Sequence, residues 1–134
     1  MTERGGCRCG AVTFEADGAP AYSAMCWCDA CRRSAGAPGV VWALFPRDRV
    51  RIAGTPASYE SSPGTTRQFC ATCGTGLFYL NEEVFPGQID IQAAAFAAPD
   101  AFPPSAHIQV ADAPAWAAGI GDLPRFDRYP AGAS

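Results

Sequence analysis

Phe69-Cys70-Ala71-Thr72-Cys73-Gly74 reads as a metal knuckle. A C-x-x-C turn aims two sulfurs at one point, and its backbone N–H groups can hydrogen-bond them. The glycine that follows permits the positive φ such a turn needs. Its counterpart lies far upstream, in Gly5-Gly6-Cys7-Arg8-Cys9-Gly10. On an extended segment Cys7 and Cys9 share one face, because side chains alternate with period two. Together the four sulfurs make a closed tetrathiolate set, the ligand count of a structural zinc site. Closing it ties an N-terminal strand to a late hairpin. Structural zinc in small folds contributes roughly 10 kcal/mol or more of apparent binding energy near neutral pH, so its loss is expected to unfold much of the chain.

Three of the seven cysteines remain, and they fall in Met25-Cys26-Trp27-Cys28-Asp29-Ala30-Cys31-Arg32-Arg33. Cys26 and Cys28 share a face, and Cys31 returns to the same point through a short turn. Three thiolates with one position open match a catalytic zinc site. Dividing the cysteines four plus three uses every one. A disulfide framework fits poorly, since the count is odd and i,i+2 pairs strain disulfide geometry. A four-thiolate zinc carries −2 and a three-thiolate zinc −1, which would deepen the formal charge of −3. Arg32 and Arg33 follow the triplet directly. They either offset its negative charge and receive an anionic thiol, or are solvated and pair with Asp29 or Glu15.

The chain has 134 residues, enough for one domain over 1–134, and 49% of them are hydrophobic, which excludes a disordered chain. All ten basic residues are arginine and none cluster in a run, so no nucleic-acid partner is expected. The first six residues hold no apolar signal core, and no apolar run approaches the ~20 residues of a membrane span. A cytoplasmic protein with reduced thiols is expected.

Outward from the cysteines, short strands alternate with Gly/Pro turns, the pattern of an all-β fold with short helical turns. Strands are predicted over residues 11–16, 22–25, 50–52, 58–60, 65–69, 76–80 and 88–92. Val40–Phe45 reads as a central strand covered on both faces. A turn or two of helix is predicted at Asp29–Ala35, with Asp29 near its N-cap and Gly36 as its stop. From about Ala93 the chain is rich in alanine, but Pro99, Pro103, Pro104 and Pro114 break every long helical window. It reads as a tail wrapping the sheet, pinned by Phe96, Phe102, Ile108, Trp116, Leu123 and Phe126. Trp42 and Trp116 are expected in the core, or as the lining of a pocket.

The motifs Gly6-Cys7-Arg8-Cys9-Gly10, Cys31 to Ala37, Phe69 to Thr75, Ile89-Asp90-Ile91 and His107-Ile108 run in one order from Gly5 to about Pro130. In this the chain resembles the glutathione-dependent formaldehyde-activating enzyme family, which includes centromere protein V. The resemblance implies a zinc-clamped β-tent and two zincs per chain, a structural one on Cys7, Cys9, Cys70 and Cys73 and a catalytic one on Cys26, Cys28 and Cys31. It also implies carbon–sulfur lyase chemistry, the condensation of glutathione with formaldehyde to S-hydroxymethylglutathione and its reverse. One departure is Trp27, which stands where the family commonly has histidine. In an extended C-x-C that side chain points away from the metal, so the ligand set is expected to survive the change. Asp90 and the single histidine, His107, are the candidate proton donors, set against a structural reading of each: a hydrogen-bonded carboxylate on a strand and a satisfied core histidine. The alternative reading is a zinc-stabilised binding or redox-sensing module without turnover.

Overall fold

Ten strands and one short α-helix organise the computed structural model, which describes residues 1–130 and 132. The expected domain over 1–134 therefore includes three positions outside the described residues. In chain order the elements are β1 (Thr2–Gly6), β2 (Thr13–Asp17), β3 (Tyr22–Cys26), α1 (Asp29–Ala35), β4 (Val40–Pro46) and β5 (Val50–Ala53). They continue as β6 (Ala57–Ser62), β7 (Thr65–Phe69), β8 (Gly76–Asn81), β9 (Gln88–Gln92) and β10 (His107–Ile108). Two sheets result. The smaller has the order β1-β2-β5, and the larger β10-β3-β4-β9-β8-β7-β6. Every pairing is antiparallel except the two-residue β10, which lies parallel to β3. The fold is mainly β, as the strand and turn pattern predicts.

The alternating pattern of β2 sends Phe14 and Ala16 inward. Facing strands of the large sheet contribute Phe45, Leu77, Phe78, Ile89 and Ile91, all within 1% of full burial. Phe14, Phe45, Phe78, Phe96 and Phe102 interlock at centroid separations of 5.0–6.1 Å, mostly edge to face. That arrangement suits the ring quadrupoles and adds to area burial. β4 sits inside the large sheet between β3 and β9, and Trp42, Ala43, Leu44 and Phe45 are all buried.

Residues 50–52 and 58–60, neighbours in sequence, part company at Gly54, whose φ is +84° and whose α-carbon lies close against the Ala11 carbonyl. β5 closes the small sheet on β2, whereas β6 crosses to the far edge of the large one. The tail departs further from expectation. Phe96 and Phe102 are buried, but Ile108, Trp116, Leu123 and Phe126 are 38–59% exposed. The five phenylalanines already fill the space between the sheets, so the chain beyond Phe102 finds only the outer edge beside β3. Among the described residues it forms the two-residue β10 and then only 3₁₀ turns, as its prolines dictate. No described helix is long and apolar enough to cross a membrane.

Candidate metal centres and the cavity beside them

Cys7 and Cys9 follow the end of β1, and Cys70 and Cys73 follow the end of β7, so the first group of sulfurs lies where the two sheets meet. All four Sγ atoms lie within 4.8 Å of one another. Cys9 Sγ is 3.7 Å from both Cys7 Sγ and Cys70 Sγ. Four sulfurs at the usual ~2.3 Å from a tetrahedral zinc stand about 3.8 Å apart, so this donor set fits that ion. Backbone N–H groups point at the sulfurs: Val12 donates to Cys7 Sγ at 3.3 Å, and Thr72 and Cys73 both donate to Cys70 Sγ at 3.4 Å. Gly10 and Gly74 take φ of +84° and +82°, the two turns that bring each cysteine pair round.

Thr75 links the halves of this clamp. Its hydroxyl accepts the Arg8 N–H at 3.1 Å and lies 3.2 Å from Cys73 Sγ. That hydroxyl is the main reason the Cys73 thiol is held down to about 5. Nothing in the spacing of the cysteines marks Thr75, since its partner Arg8 lies 67 positions away.

The second group is Cys26, Cys28 and Cys31, whose Sγ atoms also lie within 4.8 Å of one another. Cys26 ends β3. Cys28 is the N-cap of α1, and its sulfur accepts the Cys31 N–H at 3.2 Å. Asp29 lies next to the cap, as expected; the cap itself must be extended and reach the third helical N–H, and Cys28 does both with φ −64° and ψ 153°. Asp29 occupies the first helical position instead, receives Arg32, and its own N–H donates to Asp112. Burial pushes the Cys26 thiol up to about 12. A divalent cation is the group that would keep all three sulfurs ionised. Three sulfurs in this donor set fit a zinc with one position left for another ligand.

Trp27 lies on the opposite face from Cys26 and Cys28. Its ring packs on Gly39, and its Nε1 donates to His107 Nδ1 at 3.0 Å. His107 is therefore committed as an acceptor, on the far side of β3 from the three sulfurs. β10 fixes that strand from outside through Met25 N–H to Ala106 O and Trp27 N–H to Ile108 O, at 2.9 and 3.0 Å.

The three sulfurs open into a cavity of about 230 Å³, walled also by Tyr22, Trp42, Arg67, Tyr79, Phe85 and Asp90. Asp90, on β9, is 4% exposed and its Oδ1 has no hydrogen-bond partner. Burial alone raises its carboxyl to about 7. Arg32 and Arg33 do not line this cavity: Arg32 pairs with Asp29, and Arg33 is exposed. The arginine that does is Arg67, from β7, whose Nη2 lies 3.6 Å from Cys31 Sγ.

The family model described as glutathione-dependent formaldehyde-activating enzyme matches residues 2–112. Among solved structures, a crystal structure of a Rhodobacter sphaeroides protein is similar at a TM-score of 0.60 and 24% identity, covering 71% of this chain and 88% of that one. That likeness concerns the fold. No curated protein matches the sequence.

Proposed function

From the membership of this chain in the glutathione-dependent formaldehyde-activating enzyme family, we propose a carbon–sulfur lyase that joins a thiol such as glutathione to a small aldehyde, and reverses the step. The observation that carries this reading is the convergence of Cys26, Cys28 and Cys31 on a solvent-reaching cavity with an unpaired Asp90 oxygen in its wall. The clamp of Cys7, Cys9, Cys70 and Cys73 would hold a structural zinc. The triplet would hold a second, which when bound supplies Lewis acidity and lowers the pKa of a thiol beside it.

The chain's own residues have defined tasks. Tyr22, Trp42, Tyr79 and Phe85 make the cavity wall largely aromatic, which favours a desolvated thiolate over a hydrated one. The thiolate sulfur forms a bond to the aldehyde carbon as the C=O π bond breaks, and the oxygen takes up a proton. Asp90, protonated below about pH 7, is the group in the wall that can give that proton and recover one from the next thiol. The balance is one thiol and one aldehyde to one hemithioacetal, with no net proton or electron. Reduced thiols throughout suit a reducing compartment such as the cytoplasm, and the chain would work as a single domain.

Adduct formation from glutathione and formaldehyde, followed by NMR line exchange, is expected to exceed the uncatalysed rate. No gain with two zincs bound per chain would sink the reading. The exposed sulfurs of Cys9 and Cys73 favour one other reading, a redox-sensing module. Zinc release by mild peroxide without aldehyde turnover would select it.

A further inference from the structure

Arg67 is a cation held between the Tyr79 ring and the sulfur of Cys31. Arg4 and Arg51 hold Glu15 and Asp17, and Arg32 holds Asp29, but among the described residues no carboxylate lies within ion-pair distance of Arg67. Its Nε is buried without any partner. Its guanidinium stacks 5.1 Å above the Tyr79 ring, its cross-strand neighbour, and its Nη2 reaches Cys31 Sγ at 3.6 Å. It also forms the wall shared with a second cavity of about 300 Å³, lined by Ser34, Tyr59, Gln68 and Gln92 among others. Leaving a guanidinium part-buried with no carboxylate is costly unless some other anion balances it.

We propose that Arg67 is a positioning residue that sets the charge of the Cys26, Cys28 and Cys31 centre so that its next ligand is an anionic sulfur. A divalent cation with three thiolates is one unit negative, and such a centre repels a fourth thiolate. Arg67 brings the centre to neutrality through a charge-assisted contact with one of its sulfurs. The fork of the guanidinium and its stack on Tyr79 fix where that charge sits. The incoming thiol then binds as thiolate: its S–H bond breaks, the sulfur keeps the electron pair, and in the absence of aldehyde, with Asp90 still holding its own proton, the proton leaves to solvent. Among the described residues lining the cavity Asp90 is the one carboxyl, and burial disfavours its charged form, so it does not compete for Arg67.

This inference rests on the reading of the triplet as a thiol-binding metal centre, and its test needs no aldehyde. The full chain, loaded with cobalt(II) in place of zinc, is titrated with glutathione. The sulfur-to-cobalt charge-transfer band reports binding, and an indicator in weak buffer reports protons released. Wild type is expected to bind with release of about one proton. R67Q is expected to bind thiol at least ~10-fold more weakly, since a unit charge a few ångströms away is removed from a part-buried site. R67K, which keeps the charge but not the fork, is expected to fall between them. Imidazole, a neutral ligand, is expected to bind R67Q and wild type alike. Equal thiol affinity in R67Q and wild type overturns the proposal while leaving the proposed function standing. So does an equal loss for imidazole and thiol, or loss of cobalt from the triplet in both variants, each of which makes Arg67 a part of the scaffold. Failure of wild type to bind any thiol overturns both.

Discussion

Asp90 stands on β9 with Ile89 and Ile91 buried on either side, so its carboxyl is carried inward by a strand that could not expose it without breaking the sheet. Its folded pKa, raised to about 7 by burial, lies above the ordinary value near 4. The native protein therefore holds the proton more tightly than the unfolded chain does. The associated stability is full below about pH 4 and is lost as pH rises through about 7. Asp90→Asn keeps the shape and removes the charge. At pH 8 the variant is expected to unfold at higher urea than wild type, and the difference should shrink as pH falls and vanish only below about pH 4. Adduct formation should fall by roughly 10²-fold or more in the same variant, the usual size of a proton-transfer contribution. A variant that keeps full turnover would remove Asp90 from the chemistry.

Most of the strands follow from alternation and turn residues, and β7 and β9 fall at the predicted residues 65–69 and 88–92, whereas the two-residue β10 and the order of strands in the sheets do not. The cysteine groupings were legible for the same reason, because ligand spacing is a local property of extended chain and tight turns. The arginine beside the triplet was not. Arg32 and Arg33 adjoin Cys31 in sequence, but on a helix the next two residues are rotated by about 100° and 200° and face away from it. Arg67 reaches Cys31 from 36 positions away because β7 and β8 carry it there, and no local pattern encodes that pairing. The tail illustrates the same limit: apolar side chains such as Trp116 and Leu123 suggest burial, yet the space they would fill is already taken. At this scale the clamp joins the loop after β1 to the turn between β7 and β8, hence one sheet to the other. Stripping the proposed zinc with a strong chelator, or replacing Cys70 by alanine, is expected to lower Tm by more than ~10 °C and to flatten the near-ultraviolet circular dichroism. An unchanged Tm would show that the phenylalanine cluster alone holds the sheets together.

Taken whole, the molecule is a double-sheet body with an outer strap. Beyond the last 3₁₀ turn, which ends at Asp122, Leu123, Phe126 and Tyr129 are 57–73% exposed, and no described backbone hydrogen bond ties this segment to the sheets. Deleting residues 123–134 is expected to leave Tm within ~2 °C and to leave thiol binding unchanged, as surface changes away from packed features usually do. A large drop would mean that the strap is held by contacts its exposure does not show. The clamp that fastens the body together also has a place in time. Cys9 and Cys70 are separated by 61 positions, and at about 5–20 residues per second a ribosome spends roughly 3–12 s between them. By then β1, β2 and β5 have all been made, so the small sheet can assemble first, while β8 and β9, which cover Phe14 and its neighbours, are still to come. The nascent chain thus passes through an interval with an uncovered aromatic face and a half-built metal site. Its yield in a living cell should therefore follow the zinc supply at the moment of synthesis more closely than the stability of the finished protein.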